Sequence, residues 1–200
     1  MNEKQPTIDL IKSLSTKDLI REFDGWIEGH VTFESGEHGN GYMDKRFLRY
    51  PAVMTEIGRR LADQVSDMKN EIDVVVSPAI IGAIIAYSVA SNLEVSFATT
   101  YRQYGTGEMT FHRGFVPPKS NRCLFVDDFV SNGRCLKDNY EFVQRSGLVF
   151  IGASVIGLRA KLDIPEPIRS LMLINFTKSP SESCLLCKQN IPIIATNIRE

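Results

Sequence analysis

The residues best equipped for chemistry in this 200-residue chain are two neighbouring carboxylates, Asp127 and Asp128. They follow a short apolar run, Cys123-Leu124-Phe125-Val126, too brief for a free-standing helix and read as a buried strand. A polar turn, Ser131-Asn132-Gly133, comes next, and then Leu136, Tyr140 and Val143 recur at helical spacing. The segment therefore reads strand, acidic pair, loop and helix N-terminus, with both acids at the carboxyl end of a strand, where open α/β sheets bind ligands. Successive N–H groups of Val130, Ser131, Asn132, Gly133, Arg134 and Cys135, aimed outward at a helix start, form a concavity suited to an anion such as phosphate. Two carboxylates would repel that phosphate unless they face hydroxyl donors, as a sugar offers. Sugar plus phosphate is the economical ligand. A solvated turn with an N-cap is the plainer alternative and stays open here.

The stretch Val126 to Cys135 resembles the phosphoribosyl diphosphate signature of type I phosphoribosyltransferases: an apolar strand, two acids, two apolar residues, then Ser/Thr-x-Gly-x-Ser/Thr. Cys135 stands where a hydroxyl residue is usual, and Arg134 where small residues are common. Further segments are similar to one member family, the orotate phosphoribosyltransferases. Phe33, Ser35, Gly36, His38 and Tyr42 fall in register with the hood that covers the base in that family, with Glu34 in place of a lysine and Gly39 in place of a serine. The resemblance implies base contacts from Ser35, His38 and Tyr42.

Asp73 to Ser77 reads as a strand, and the turn after it, Pro78-Ala79-Ile80-Ile81-Gly82, corresponds to the family's diphosphate-binding loop. Ser77 and Ile81 occupy positions of family glycines, Ala79 and Gly82 are kept, and a β-branched Ile81 is expected to resist glycine-like backbone angles. After a strand from Val95 to Tyr101, the segment Arg102 to Thr110 lacks apolar periodicity, contains Gly105 and Gly107, and reads as a mobile loop. The family's closing loop brings lysine to the leaving diphosphate. Here there is no lysine, so Arg102, His112 and Arg113 are the cationic candidates. A last core strand, Val149 to Gly157, leads to Leu158-Arg159, where the family has an acid-arginine pair whose arginine grips the orotate carboxylate in two-point geometry.

The positioning elements follow from the same rules. Asp9 to Glu28 suggests one or two amphipathic helices with Ser15 or Thr16 as a cap between them, and Pro51 to Met68 suggests a helix opened by proline. Gly29 to Arg46 reads as a loop, because glycines at four places break any long element. The expected fold is α/β: one domain spanning 1–200, with a mainly parallel sheet from strands near 73, 95, 123 and 149 flanked by helices. The core is expected over about 51–159 and a hood over about 1–50 and 160–200.

The formal net charge of −1 gives no support for a nucleic-acid or membrane partner. The polar start Met1-Asn2-Glu3-Lys4-Gln5 predicts no secretory signal, and the longest mostly apolar run, Ala79 to Ala90, is too short to span a bilayer. A cytoplasmic protein is expected. Four cysteines in such a setting are not a disulfide framework. Cys184-Leu185-Leu186-Cys187 resembles the Cys-Pro-Leu-Cys near the end of one branch of the family. A zinc site needs four ligands, and no second Cys or His pair is near in sequence, so no metal ligand is assigned and a free thiol pair in a C-terminal flap is expected. The resemblance further implies phosphoribosyl diphosphate and a base such as orotate as substrates, Mg²⁺ carried mainly by substrate oxygens, and a homodimer. Two other readings stay open: a transferase for a different base, and a catalytically silent ribose-phosphate-binding protein that regulates a protein partner.

Overall fold

The computed structural model describes residues 7–159 and 162–198. The start Met1–Gln5, on which the expectation about export rests, lies outside them. Along the chain run α1 (Ile8–Ser13), α2 (Thr16–Glu22), β1 (Trp26–Phe33), β2 (Glu37–Met43), α3 (Pro51–Asp63), β3 (Val74–Pro78), α4 (Ile81–Leu93), β4 (Ser96–Arg102) and β5 (Met109–Phe111). β6 (Arg122–Val130), α5 (Arg134–Arg145), β7 (Val149–Leu158), β8 (Ile168–Leu173), β9 (Lys178–Pro180), α6 (Leu185–Lys188) and β10 (Ile193–Ile198) complete it. They divide into two compact units, one from Met1–Val53 with Asn175–Glu200 and one from Met54–Ile174. Among the described residues no helix is long and apolar enough to cross a membrane.

The second unit carries the mainly parallel, helix-flanked sheet expected of the fold class. Its six-stranded sheet has the order β5-β4-β3-β6-β7-β8, parallel except for the antiparallel β4–β5 pair. Val74, Val75 and Val76 of β3 and Cys123 to Val126 of β6 are buried on both faces, as unbroken apolar runs in a helix-covered parallel sheet must be. Asp73 and Arg122 lock the starts of these two strands together. Arg122 donates from its backbone N at 2.8 Å and from Nε at 3.0 Å to Asp73 Oδ2, and from Nη2 at 2.9 Å to Oδ1. The guanidinium and then the backbone N–H hold the Asp73 carboxyl down to about 2.

The chain leaves β3 for β4 on one side of the sheet and leaves β6 for β7 on the other, so the strand order reverses between β3 and β6. Such a reversal, beyond the carboxyl ends of both strands, is where open α/β sheets bind ligands. On one face α3 and α4 cross closely at Gly58, where a Cβ would sit 2.0 Å from Ser88 Oγ. Helix α3 stops at Asp63, and a 3-10 turn over Ser66–Glu71 replaces the expected continuation to Met68.

The segment expected as a mobile loop is a hairpin instead. Arg102 closes β4 and pairs with Met109 of β5, while Gln103 N donates to Glu108 O at 2.8 Å across the turn. Strand β8, absent from the sequence expectation, is a half-buried edge strand parallel to β7.

In the first unit, Ser15 caps α2 as expected: its Oγ accepts from Asp18 N at 3.1 Å. Trp26–Glu28 belong to β1 rather than to a helix, and Gly29 to Arg46 is largely a β-hairpin rather than a loop. The sheet order is β10-β1-β2-β9, with β10 parallel to β1. Three of the four glycines read as breakers, Gly29, Gly39 and Gly41, sit inside strands, where neighbours crowd them, while Gly36 is in the turn between β1 and β2. A Cβ at Gly41 would lie 2.4 Å from both Ile27 O and Phe176 Cε1.

Candidate active site

Strand β6 continues through both acids to Val130, four residues past the apolar run expected to end at Val126. Asp127 and Asp128 are only 7% and 4% exposed, so they are not a solvated turn. Their backbone is fixed locally: Asp128 N donates to Asp127 Oδ1 at 2.9 Å and Phe129 N to Asp128 Oδ1 at 2.6 Å.

Beyond Val130 the chain turns through Ser131 and Asn132 into Gly133, the N-cap of α5, at φ +80°. This left-handed angle suits a residue without Cβ. Asn132 Oδ1 accepts from Arg134 N at 3.0 Å and fixes the turn. Helix α5 has twelve residues and no side-chain cap at its start, so its amino end keeps the positive pole and N–H donors that an anion needs.

Cys135 is an exposed residue whose sulfur faces Asp127, 3.6 Å from Oδ2. Burial of the sulfur first, and the Asp127 carboxylate second, push the thiol up to about 12. It is therefore a neutral S–H donor at physiological pH, which is the role a hydroxyl would have at this position. The first turn of α5 is held in turn by buried Asn139, whose Nδ2 donates to Cys135 O at 2.9 Å and whose Oδ1 accepts from Thr100 Oγ1 of β4 at 2.6 Å. Sequence reasoning missed both positioning residues. Asn139 shares the buried face of α5 with Leu136 and Val143, and a polar residue at that spacing was the available signal.

The turn after β3 meets this site. A Cβ on Gly82 would sit 2.2 Å from Ser77 Oγ and 3.3 Å from Asp127 Oδ1, so the second position of α4 passes directly over the acid. Ser77 Oγ is buried and has no hydrogen-bond partner among the described residues. Ala79 N donates to Thr100 O at 2.8 Å. Ile81 is the first residue of α4 and does not have a positive φ, so the expected conflict between a β-branched residue and glycine-like angles does not arise.

The cationic candidates separate. Arg102 is ion-paired with Asp138 of α5 and donates to Gly107 O at 3.1 Å. His112 rests 5.3 Å from the Tyr101 ring, and Arg113 is exposed in the turn after β5. Arg159 N donates to Val130 O at 2.9 Å, which places Arg159 at the carboxyl end of β7 beside the end of β6.

The remaining candidates lie in the first unit. Ser35, in the β1–β2 turn, donates to Glu37 Oε2 at 3.1 Å. Tyr42 on β2 is half-buried, and burial followed by Asp44 raises its phenol. His38 Nδ1 is directed at His30 and Cys187.

Residues 45–165 match the phosphoribosyl transferase domain family. An orotate phosphoribosyltransferase from Caldanaerobacter subterraneus subsp. tengcongensis is 32% identical over 99% of this chain and 99% of its own length. One from Chlorobium phaeobacteroides is 29% identical over 91% of this chain and 94% of its own. Among solved structures, orotate phosphoribosyltransferase from Aeropyrum pernix has a TM-score of 0.66 and 18% identity, covering 79% of this chain and 93% of that one. An adenine phosphoribosyl transferase from Trypanosoma brucei, in complex with AMP, pyrophosphate and ribose-5-phosphate, has a TM-score of 0.59 and 15% identity, covering 81% of this chain and 85% of that one. At these identities the two structures establish a common fold.

Proposed function

Because the chain belongs to the phosphoribosyl transferase domain family, we propose that it transfers a 5-phosphoribosyl group from phosphoribosyl diphosphate to a ring nitrogen of orotate, giving orotidine 5′-phosphate and diphosphate for pyrimidine nucleotide synthesis. One observation carries the reading: Gly82 brings the start of α4 against Asp127, so two helix amino ends and an acidic pair share one crevice. In this assignment the N–H groups from Val130 to Cys135 hold the 5-phosphate, and Asp127 and Asp128 accept from the ribose hydroxyls. The turn from Ser77 to Gly82 receives the diphosphate, to which the buried Ser77 hydroxyl can donate. As the diphosphate departs, positive charge grows on the ribose, and the buried carboxylates stabilise it in a site where water is scarce.

Mg²⁺ suits this donor set as an ion held mostly by substrate oxygens, because the crevice offers two carboxylates rather than an oxygen cage. When bound, it would offset charge on the diphosphate. Arg159 supplies a two-point partner for the orotate carboxylate. The catalytically silent alternative loses two of its supports, since Ile81 is helical and Cys135 remains a hydrogen-bond donor.

We also propose a homodimer. Ile80, Ile84 and Tyr87 form an exposed apolar row at the start and along one side of α4, extended by the Tyr87–Phe97 and Phe97–Phe115 ring contacts at 5.9 and 5.3 Å. A second copy would cover that row.

The decisive experiment incubates the protein with phosphoribosyl diphosphate, Mg²⁺ and a panel of bases, reading diphosphate release and nucleotide mass. Orotidine 5′-phosphate with orotate alone is expected. Diphosphate release with another base and none with orotate would reassign the acceptor, and no release with any base would refute transferase activity.

A further inference from the structure

We infer that the first unit contains a zinc-binding site built from His30, His38, Cys184 and Cys187. The hairpin β1–β2 contributes the two histidines, and α6 contributes the two cysteines, Cys184 as its N-cap and Cys187 from within it. Their ligand atoms all lie within 4.8 Å of one another. No second pair lies near the CxxC along the chain, but the fold supplies one from more than 140 positions away.

The geometry is close to that of a tetrahedral site. Bonds of about 2.3 Å to sulfur and about 2.05 Å to nitrogen place tetrahedral ligand atoms about 3.6 Å apart for N to S and about 3.4 Å apart for N to N. His30 Nε2 lies 3.6 Å from Cys184 Sγ and 3.6 Å from Cys187 Sγ. His38 Nδ1 is 3.2 Å from Cys187 Sγ and 2.9 Å from His30 Nε2, so modest outward movement would admit the ion.

The tautomer of His30 is also set. Its Nδ1 lies 2.7 Å from the Ile191 carbonyl, which can only accept, so Nδ1 carries the proton and Nε2 presents a lone pair to the centre. Two thiolates, two neutral imidazoles and Zn²⁺ sum to zero charge. This neutrality matters because His30 and Cys184 are 1% and 3% exposed. Two sulfur and two nitrogen ligands select zinc over magnesium or calcium.

Four protein ligands leave no open position, so the role is structural. The ion would tie the chain around Cys184 to the β1–β2 hairpin in a small unit built on a four-stranded sheet. This assignment also gives His38 a role independent of any base.

The test uses the full-length protein purified without an affinity metal under reducing conditions. Elemental analysis is expected to find one zinc per chain, released by a thiol-directed mercurial in step with a colour indicator for free zinc. Co²⁺ exchanged into the protein should show both thiolate-to-cobalt charge transfer and the intense visible bands of tetrahedral cobalt. Cys187→Ser and His38→Ala should each lower zinc content at least tenfold. If either variant fails to fold, the cobalt spectrum of the parent still decides. Less than a tenth of an equivalent of zinc after reconstitution with Zn²⁺ would overturn the proposal, as would a cobalt spectrum without thiolate charge transfer. A Cys184–Cys187 disulfide in freshly isolated protein would do so as well.

Discussion

Cys135 Sγ lies 3.6 Å from Asp127 Oδ2, and its thiol, pushed up to about 12, stays protonated and donates to that carboxylate. A position where the family places a hydroxyl thus keeps a donor, through sulfur rather than oxygen. Cys135→Ser is expected to leave affinity for phosphoribosyl diphosphate within a few-fold of the parent. Cys135→Ala leaves Asp127 without this donor and should weaken it by about tenfold, corresponding to a lost hydrogen bond to a charged group of about 1.5 kcal/mol. Calorimetric titration of both variants checks this. Equal affinities for the alanine and serine variants would remove Cys135 from the site.

Gly133 holds φ +80° at the N-cap of α5, and a Cβ there would lie 2.0 Å from Leu162 Cδ2. Leu162 can swing aside, so the dominant cost of Gly133→Ala is the left-handed angle, about 1 to 2 kcal/mol. Relief of that strain would rotate the N–H groups of the turn away from the phosphate. The expected result is a small fall in thermal midpoint with a much larger loss of affinity for ribose 5-phosphate. A loss of stability without a loss of affinity would make the turn purely structural.

The core was legible because its strands are unbroken apolar runs: Val74 to Val76 and Cys123 to Val126 admit few other readings. The acidic pair and Gly133 were legible because their spacing is local. The hairpin β1–β2 was hidden, since Gly29, Gly39 and Gly41 look like breakers until Ile194, Thr177 and Phe176 are seen packed against them. The grouping of His30 and His38 with Cys184 and Cys187 was hidden for a related reason. It depends on β9 pairing with β2 and β10 with β1, and no local pattern states those registers. Arg102 was read as a free loop cation because its partner Asp138 lies on α5, 36 positions away.

Glu56 on α3 is 5% exposed and accepts from Arg59 Nε at 2.8 Å, Arg59 Nη2 at 2.7 Å and Arg60 Nε at 2.7 Å. Arg59 first, opposed by burial, and then Arg60 bring the carboxyl from its ordinary 4.5 down to about 2. The folded value lies below the unfolded one, so the stability it contributes is complete above pH 4.5 and is lost as pH falls toward about 2. Glu56→Gln should lower the urea midpoint at pH 7, and the gap from the parent should narrow between pH 4.5 and 2. Circular dichroism of α-helix at a series of pH values follows it. A gap constant with pH would mean that the ionised pair is not the source.

Arg113 and Arg102 should behave differently. Arg102 is committed to Asp138 and Gly107 O, whereas Arg113 is exposed in the turn after β5, and the chain offers no lysine from Arg102 to Arg113 to meet a leaving diphosphate. If Arg113 stabilises that charge, Arg113→Ala should lower kcat by about 10²- to 10³-fold with little change in affinity for phosphoribosyl diphosphate, the signature of an interaction made in the transition state. Arg102→Ala should instead resemble Asp138→Asn, each losing the same tie between β4 and α5 and each shifting the thermal midpoint downward. Steady-state kinetics and thermal melts on the three variants separate the roles. A kcat for Arg113→Ala within a few-fold of the parent, beside a large fall for Arg102→Ala that Asp138→Asn does not share, would transfer the catalytic role to Arg102.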